Sequence, residues 1–379
     1  MAQEVKIPPA PTGHPVYQKW MESRGIPIQT GHFVADPMKV ELGWWEEREC
    51  NASFIQLMGM AGVSEARITE IPPGGTLPPL KMAVSEVVYV LDGQGLATIW
   101  SGSGPKKTFE WGKSSLFCLP RHCWHQLSNA RGDRPARILN YNYLPVAMSG
   151  IPDPNILFNN AYEKPELLYG KEGEEFYSEA KMITNDDGSG RRGAGVHWNA
   201  NFIPDMAAWD KLVPFYGRGA GGTVVRIQFP GAEMSCHMSV FDPQLYKKGH
   251  RHGPGRVIVI PKGVGYSVLW PGDPLAWGQL EGAEKIVCPW SEGTIFVPPE
   301  MWYHQHFNTG TGEARYLALG PLRASFQGGA YSHQYEYPYE DPWIRNRYES
   351  EIGKIGLQSL MPDEAYKDPS YEWDYGEGD

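Results

Sequence analysis

The stretch GHRHGPGRVIVIPKG, residues 249–263, sets His250 and His252 one residue apart, then a Gly-Pro-Gly turn, then a branched apolar run. Valine and isoleucine in that density, bounded by glycine and proline, predict a buried strand. Side chains at i and i+2 of an extended chain point the same way, so His250 and His252 share a face. A second stretch, GTIFVPPEMWYHQHFN (293–308), carries His304 and His306 in the same alternation. Pairing that strand opposite the first would gather His250, His252 and His304 as three ligands on one face of a metal, leaving other positions open. Arg256 stands where an acidic fourth ligand is often expected, and a guanidinium stays protonated and cannot ligate.

The same blocks recur earlier in the chain, in the same order. Laying LPPLKMAVSEVVYVLDGQGLATIW (77–100) on the region from Lys247 brings Leu80 to His250, Met82 to His252, Glu86 to Arg256 and Gly93 to Gly263. SSLFCLPRHCWHQLSN (114–129) then matches the 293–308 stretch, with Pro120 on Pro299, His125 on His304 and Asn129 on Asn308. The second copy needs a longer loop, around 271–285. Two ordered blocks, present twice, indicate a duplicated domain. The expected division is an N-terminal arm (1–49), a first barrel (50–148), a linker crossing the surface (149–219), a second barrel (220–325) and a C-terminal arm (326–379). DPWIRNRYESEIGKIG (341–356) predicts a short helix in that arm, with Asp341 ahead of Pro342 and a closing glycine. Tyr331, Tyr335, Tyr337 and Tyr339 just before it are expected to pack the arm onto a barrel or a neighbouring subunit.

The rest of the 379 residues bounds the function. Short strand-like runs separated by 44 glycines and 33 prolines, with few helical patterns, give an all-β expectation. A net charge of −10 without a basic block disfavours nucleic-acid binding. No apolar run is long enough to span a bilayer, and the first residues lack the charged start and apolar core of a secretory signal. Five scattered cysteines, odd in number and without a Cys-x-x-Cys pair, fit reduced thiols in a cytoplasmic protein.

The paired motifs resemble those of the cupin superfamily, whose first motif carries His-x-His followed by Glu and Gly and whose second carries Pro, His and Asn. The second copy keeps His250, His252, Gly263, Gly293, Pro299, His304 and Asn308. It departs from the motif at Arg256, in the glutamate slot, and at Met301, in a glycine slot. The first copy keeps Glu86 and His125 but has Leu80 and Met82 in the His-x-His slots. The resemblance implies two tandem cupin barrels of the double-stranded β-helix type, only the second with a metal site. Glu86 and His125 are then a hydrogen-bonded structural pair or the lining of a vacant barrel.

A three-histidine site without glutamate is similar to that of gentisate and salicylate 1,2-dioxygenases, bicupins that cleave hydroxylated aromatic carboxylates with Fe(II) and dioxygen. In those enzymes the metal barrel is typically the first copy; here it is the second. The resemblance implies a ring-cleaving dioxygenase with Fe(II), or another divalent transition metal, taking a small molecule and O2. Arg256 and His306 are the candidate catalytic groups, and Arg256 and Trp302 the candidate substrate contacts. Arg256 has two orientations open, inward to a substrate anion or outward to an acidic neighbour. His306 is read as a neighbour of the metal set rather than a member, and Trp302 as an aromatic wall or a packed core residue. A metal-dependent lyase, hydrolase or isomerase using Mn, Ni, Zn or Co is the alternative enzyme class, and a non-catalytic ligand-binding bicupin the third. Barrels of this kind commonly pair, so a homo-oligomer is expected, with neither nucleic acid nor membrane as partner.

Overall fold

The computed structural model describes residues 15–60, 62–170, 177–185, 188–273, 278–320 and 332–376. Residues 1–14 of the arm, Tyr331 and the 325/326 boundary lie outside them. Among the described residues the chain forms the two tandem β-barrels expected from the duplication, each a large sheet facing a small one. The first barrel opposes an eight-stranded sheet built around Glu65–Ile71, Ala136–Asn142 and Glu86–Asp92 to a four-stranded sheet containing Leu80–Lys81 and Trp124–Asn129. The second opposes a nine-stranded sheet, with Ser235–Phe241, Ala314–Gly320 and Val257–Lys262 at its centre, to a five-stranded sheet containing His250–Arg251 and Tyr303–Asn308. All five cysteines are free and buried. No helix among the described residues is long and apolar enough to cross a membrane.

The near-continuous apolar strands follow from burial on both faces. In Val257–Lys262, Val257 and Val259 join a core between the two large sheets, while Ile258 and Ile260 turn into the second barrel. Glu86–Asp92 divides likewise: Val87, Tyr89 and Leu91 face the shared core, Val88 and Val90 the first barrel. Each buried Val or Ile contributes about 1.5–3 kcal/mol, so this common core couples the barrels strongly. Inward positions are thereby assigned by parity. In the first barrel they hold Glu65, Arg67 and Glu86; in the second, Ser235, His237 and Arg256.

The segment 149–219, expected to run over the surface, contains short ordered elements among its described residues, and Leu157, Leu168, Ile203 and Met206 within it are buried. The antiparallel pair Lys181–Thr184 and Val196–Asn199 extends the second barrel's large sheet, while Phe202–Ile203 pairs with Leu116–Phe117 of the first. In return, Phe33–Val34 of the N-terminal segment pairs with Ile295–Phe296 of the second barrel. Short apolar pairs such as these carry too little periodicity to be seen in sequence, but they cover edges that would otherwise be open. The C-terminal helix runs from Pro342 to Gly353, with the Asp341 side chain accepting from the Trp343 N–H. Its Ile344, Tyr348 and Ile352, together with Tyr335 and Tyr337, cover the outer face of the His304 strand, whereas Tyr339 is exposed. That cover explains why every residue of Tyr303–Asn308 is buried.

Candidate metal centre

His250 pairs directly with His304 across the small sheet of the second barrel. With His252, which lies two residues on and faces the same way, they form a group whose ligand atoms all lie within 4.8 Å of one another. Ring centroids stand 4.1 Å apart for His250–His304 and 4.7 Å for His252–His304. His252 Nδ1 lies 2.7 Å from the Gly253 carbonyl, which can only accept; the proton is therefore on Nδ1 and the lone pair on Nε2. Nδ1 of both His250 and His304 is buried without a hydrogen-bond partner. Burial is the main cause that holds all three well below the ordinary histidine range, His252 at about 3. Neutral, incompletely satisfied imidazoles at this spacing fit a divalent transition metal.

The turn ahead of Arg256 is fixed from the other barrel. Gly255 has φ +83°, and a Cβ there would meet Val63 Cγ1 at 2.7 Å. Its N–H donates to the Gly59 carbonyl at 2.7 Å, and the Tyr141 hydroxyl donates to its carbonyl at 2.8 Å. Arg256 emerges from this turn into the second barrel, with its Nε unpartnered and no carboxylate in ion-pair contact among the described residues. Of the two orientations open in sequence, the inward one is realised.

His306 lies outside the close trio, its ring centroid 5.5 Å from that of His304. The Trp290 indole N–H donates to Ser267 Oγ at 3.1 Å, and Ser267 Oγ stands 2.8 Å from His306 Nδ1. The hydroxyl accepts from Trp290 and can either donate to Nδ1 or accept from it. Burial, with Lys247 nearby, keeps His306 neutral, lowered to about 3.

Trp302 does not line the cavity. It precedes the strand, after Met301 with φ +62°, and that turn breaks the alternation that would have carried it inward; its ring packs instead at 5.8 Å from His32.

Together these groups line a cavity of about 410 Å3 whose described lining contains Arg218, Arg226 and Arg256 but no carboxylate. Arg218 donates to Gln334 Oε1 at 2.9 Å, and burial lowers it to about 10. Sequence reasoning missed Arg218, Arg226 and His237. His237 had a signal: the alignment that sets Glu86 on Arg256 also sets Arg67 on His237. Arg218 comes from outside the repeat and had none.

The first barrel is filled at the equivalent place. Arg67 Nη2 donates to both Glu86 oxygens at 3.0 and 2.7 Å and its Nη1 to Glu65, while Asn140 and Asn142 donate to Glu86 at 2.6 and 3.0 Å. The partner of Glu86 is thus Arg67, not His125, because the guanidinium supplies the positive charge that the buried carboxylate needs. His125 lines a residual space of about 10 Å3, its Nδ1 unpartnered and burial lowering it to about 3.

No family model matches the chain, and no curated protein sequence matches it. Solved structures do. A salicylate 1,2-dioxygenase from Pseudaminobacter salicylatoxidans matches at 12% identity over 73% of this chain and 77% of that one, with a TM-score of 0.49. An oxalate decarboxylase from Bacillus subtilis matches at 11% identity over 77% and 76%, with a TM-score of 0.47. A variant of the same decarboxylase reaches a TM-score of 0.49 at 11% identity, covering 90% of this chain and 87% of that one.

Proposed function

We propose that the second barrel binds a divalent metal through His250, His252 and His304 and acts as a dioxygenase on a chelating, anionic small molecule, a hydroxylated aromatic carboxylate above all. The observation that carries this reading is the pairing of three neutral, buried imidazoles with a cavity holding three guanidiniums and no carboxylate among its described lining. Neutral ligands leave the metal's charge to be met by the substrate, which favours an anion that binds through two oxygens. Fe(II) at this position would supply open positions for the substrate and dioxygen together, the chemistry of ring cleavage.

The chain's own groups divide the remaining tasks. Arg256, with no acidic partner among the described residues, presents its guanidinium to the substrate carboxylate and fixes which end of the molecule approaches the trio. His306, held at Nδ1 by Ser267, donates from Nε2 to the oxyanion that develops on the ring oxygen when its proton is on that nitrogen. Phe215, Tyr316 and Ile258 give the cavity apolar walls that limit water.

Oxygen consumption by iron-reconstituted protein, followed with gentisate, salicylate, catechols and β-diketones, tests the reading. One O2 consumed per substrate is expected with at least one of them. No uptake from any, at full iron occupancy, would sink it. Turnover that proceeds without oxygen would instead identify a lyase, hydrolase or isomerase working with Mn, Ni, Zn or Co.

A further inference from the structure

The metal-free barrel has a larger cavity than the metal barrel. It measures about 800 Å3 and opens beside Leu80 and Met82, the positions where the second copy carries its His-x-His pair. Its walls are aromatic. Trp20 and Phe158 lie nearly parallel with centroids 5.1 Å apart, and Trp45 meets Trp20 edge-on at 6.3 Å. The cavity is in the size range of small-molecule sites, and its mixture of apolar walls with a few polar groups is theirs as well.

The charges in the lining are not evenly satisfied. Glu47, its acid, is held by Arg24, and Arg67 is engaged by Glu65 and Glu86. Lys19 stands exposed at the rim. That leaves Arg48, which donates one N–H to the Pro78 carbonyl at 2.7 Å and has no carboxylate in ion-pair contact among the described residues. Burial and the neighbouring Arg67 lower it to about 10, so it stays charged at neutral pH. A half-buried cation whose one hydrogen-bond partner among the described residues is a carbonyl is left with donors that an anion entering the cavity can satisfy.

We infer that the mouth of the first barrel is a second, metal-independent ligand site for an aromatic monocarboxylate. The carboxylate pairs with Arg48, the ring lies along Trp20, Phe158 and Trp45, and Leu80 and Met82 form the apolar floor. Loss of the two histidines from the first copy is then a change of ligand as well as a loss of metal. This site stands on its own residues and does not depend on the reaction assigned to the second barrel.

The test is calorimetric titration of the full chain with 1-naphthoate and with the neutral 1-naphthylmethanol. A saturable site is expected that binds the acid at least about tenfold more tightly than the alcohol, the margin of a charge-assisted contact. Arg48→Met should weaken the acid by about tenfold or more. Leu80→Trp, which fills the floor, should abolish binding, and His304→Ala should leave it unchanged. Thermal unfolding of each variant identifies any that fails to fold, and the Arg48 and Leu80 substitutions serve as each other's second test. Absence of saturable binding to the unmodified chain would overturn the inference. So would full binding by folded Arg48→Met, or loss in His304→Ala with retention in Leu80→Trp, which would place the ligand in the second barrel.

Discussion

The two barrels solve one charge problem in opposite ways. At matching inward positions the first has Glu65, Arg67 and Glu86, the second Ser235, His237 and Arg256. The registers Asn140↔Arg67 and Asn142↔Glu65 in one, and Ala318↔His237 and Gly320↔Ser235 in the other, extend the comparison. Where the first barrel carries two asparagines that satisfy a carboxylate, the second carries an alanine and a glycine. Around Glu86 and His125 the first is filled by an internal ion pair and retains about 10 Å3, its larger cavity lying beside Leu80 and Met82; in the second, one cavity of about 410 Å3 reaches both the histidines and Arg256. A kept ligand residue is therefore no sign of a kept site. Glu86 is held here by Arg67, a cation the chain itself supplies.

The contrast can be broken most decisively by metal analysis. One metal per chain is expected; His250→Ala or His304→Ala should bring it below about a tenth of that value and remove activity, because each supplies one of three ligands. His125→Ala should leave it unchanged. Two metals per chain, or full retention in His304→Ala, would erase the distinction between the barrels.

Stability measures the next difference. Arg67→Met leaves Glu65 and Glu86 buried without their cation and should cost about 3–5 kcal/mol in urea unfolding. Arg256→Met breaks no ion pair among the described residues and should cost less than about 1 kcal/mol. Equal costs would mean that Arg256 is structural. Its expected effect is on substrate: Arg256→Met should raise KM for a carboxylate substrate about 10- to 100-fold and leave metal content alone, the loss of a charge-assisted contact.

The smallest effect separates Lys247 from Leu77, its counterpart in the first copy. Lys247 is buried with Nζ 3.5 Å from the Gly219 carbonyl, and burial lowers it to about 7. Between that value and its ordinary range near 10.5 the unfolded chain binds the extra proton, so this group makes stability rise with pH from about 7 to 10, by at most about 1.4 kcal/mol per unit. Lys247→Met should remove that part of the slope. Unfolding curves of wild type and variant that stay parallel across this range would refute it.

The residues of the close trio were legible because their spacing is local: two histidines on one face of one strand, a third on a strand of matching pattern. The barrels and the C-terminal helix were legible for the same reason, through repeated glycines and prolines and through Asp341 at a helix start. What makes the second barrel a cavity was not, since Ala318, Gly320 and Ser235 matter only through cross-strand register. The Arg67 network was hidden for a like reason. Glu86 invites comparison with a metal ligand until the neighbouring strand shows a guanidinium beside it. Of the two roles open to Trp302, the alternation suggested a cavity wall, but Met301 interrupts it and the ring packs against His32 instead.

The grip of Gly59 and Tyr141 on Gly255 has a consequence for how such a gene can change after duplication. The loop that aims Arg256 is anchored in the other copy, so the second half on its own would lack the backing for that turn. The first copy carries Leu80 and Met82 where the second has His250 and His252, yet its residues 59 and 141 are tied to the turn ahead of Arg256. Duplication here did not grant independence: one half supplies the footing for the turn from which the other half presents Arg256.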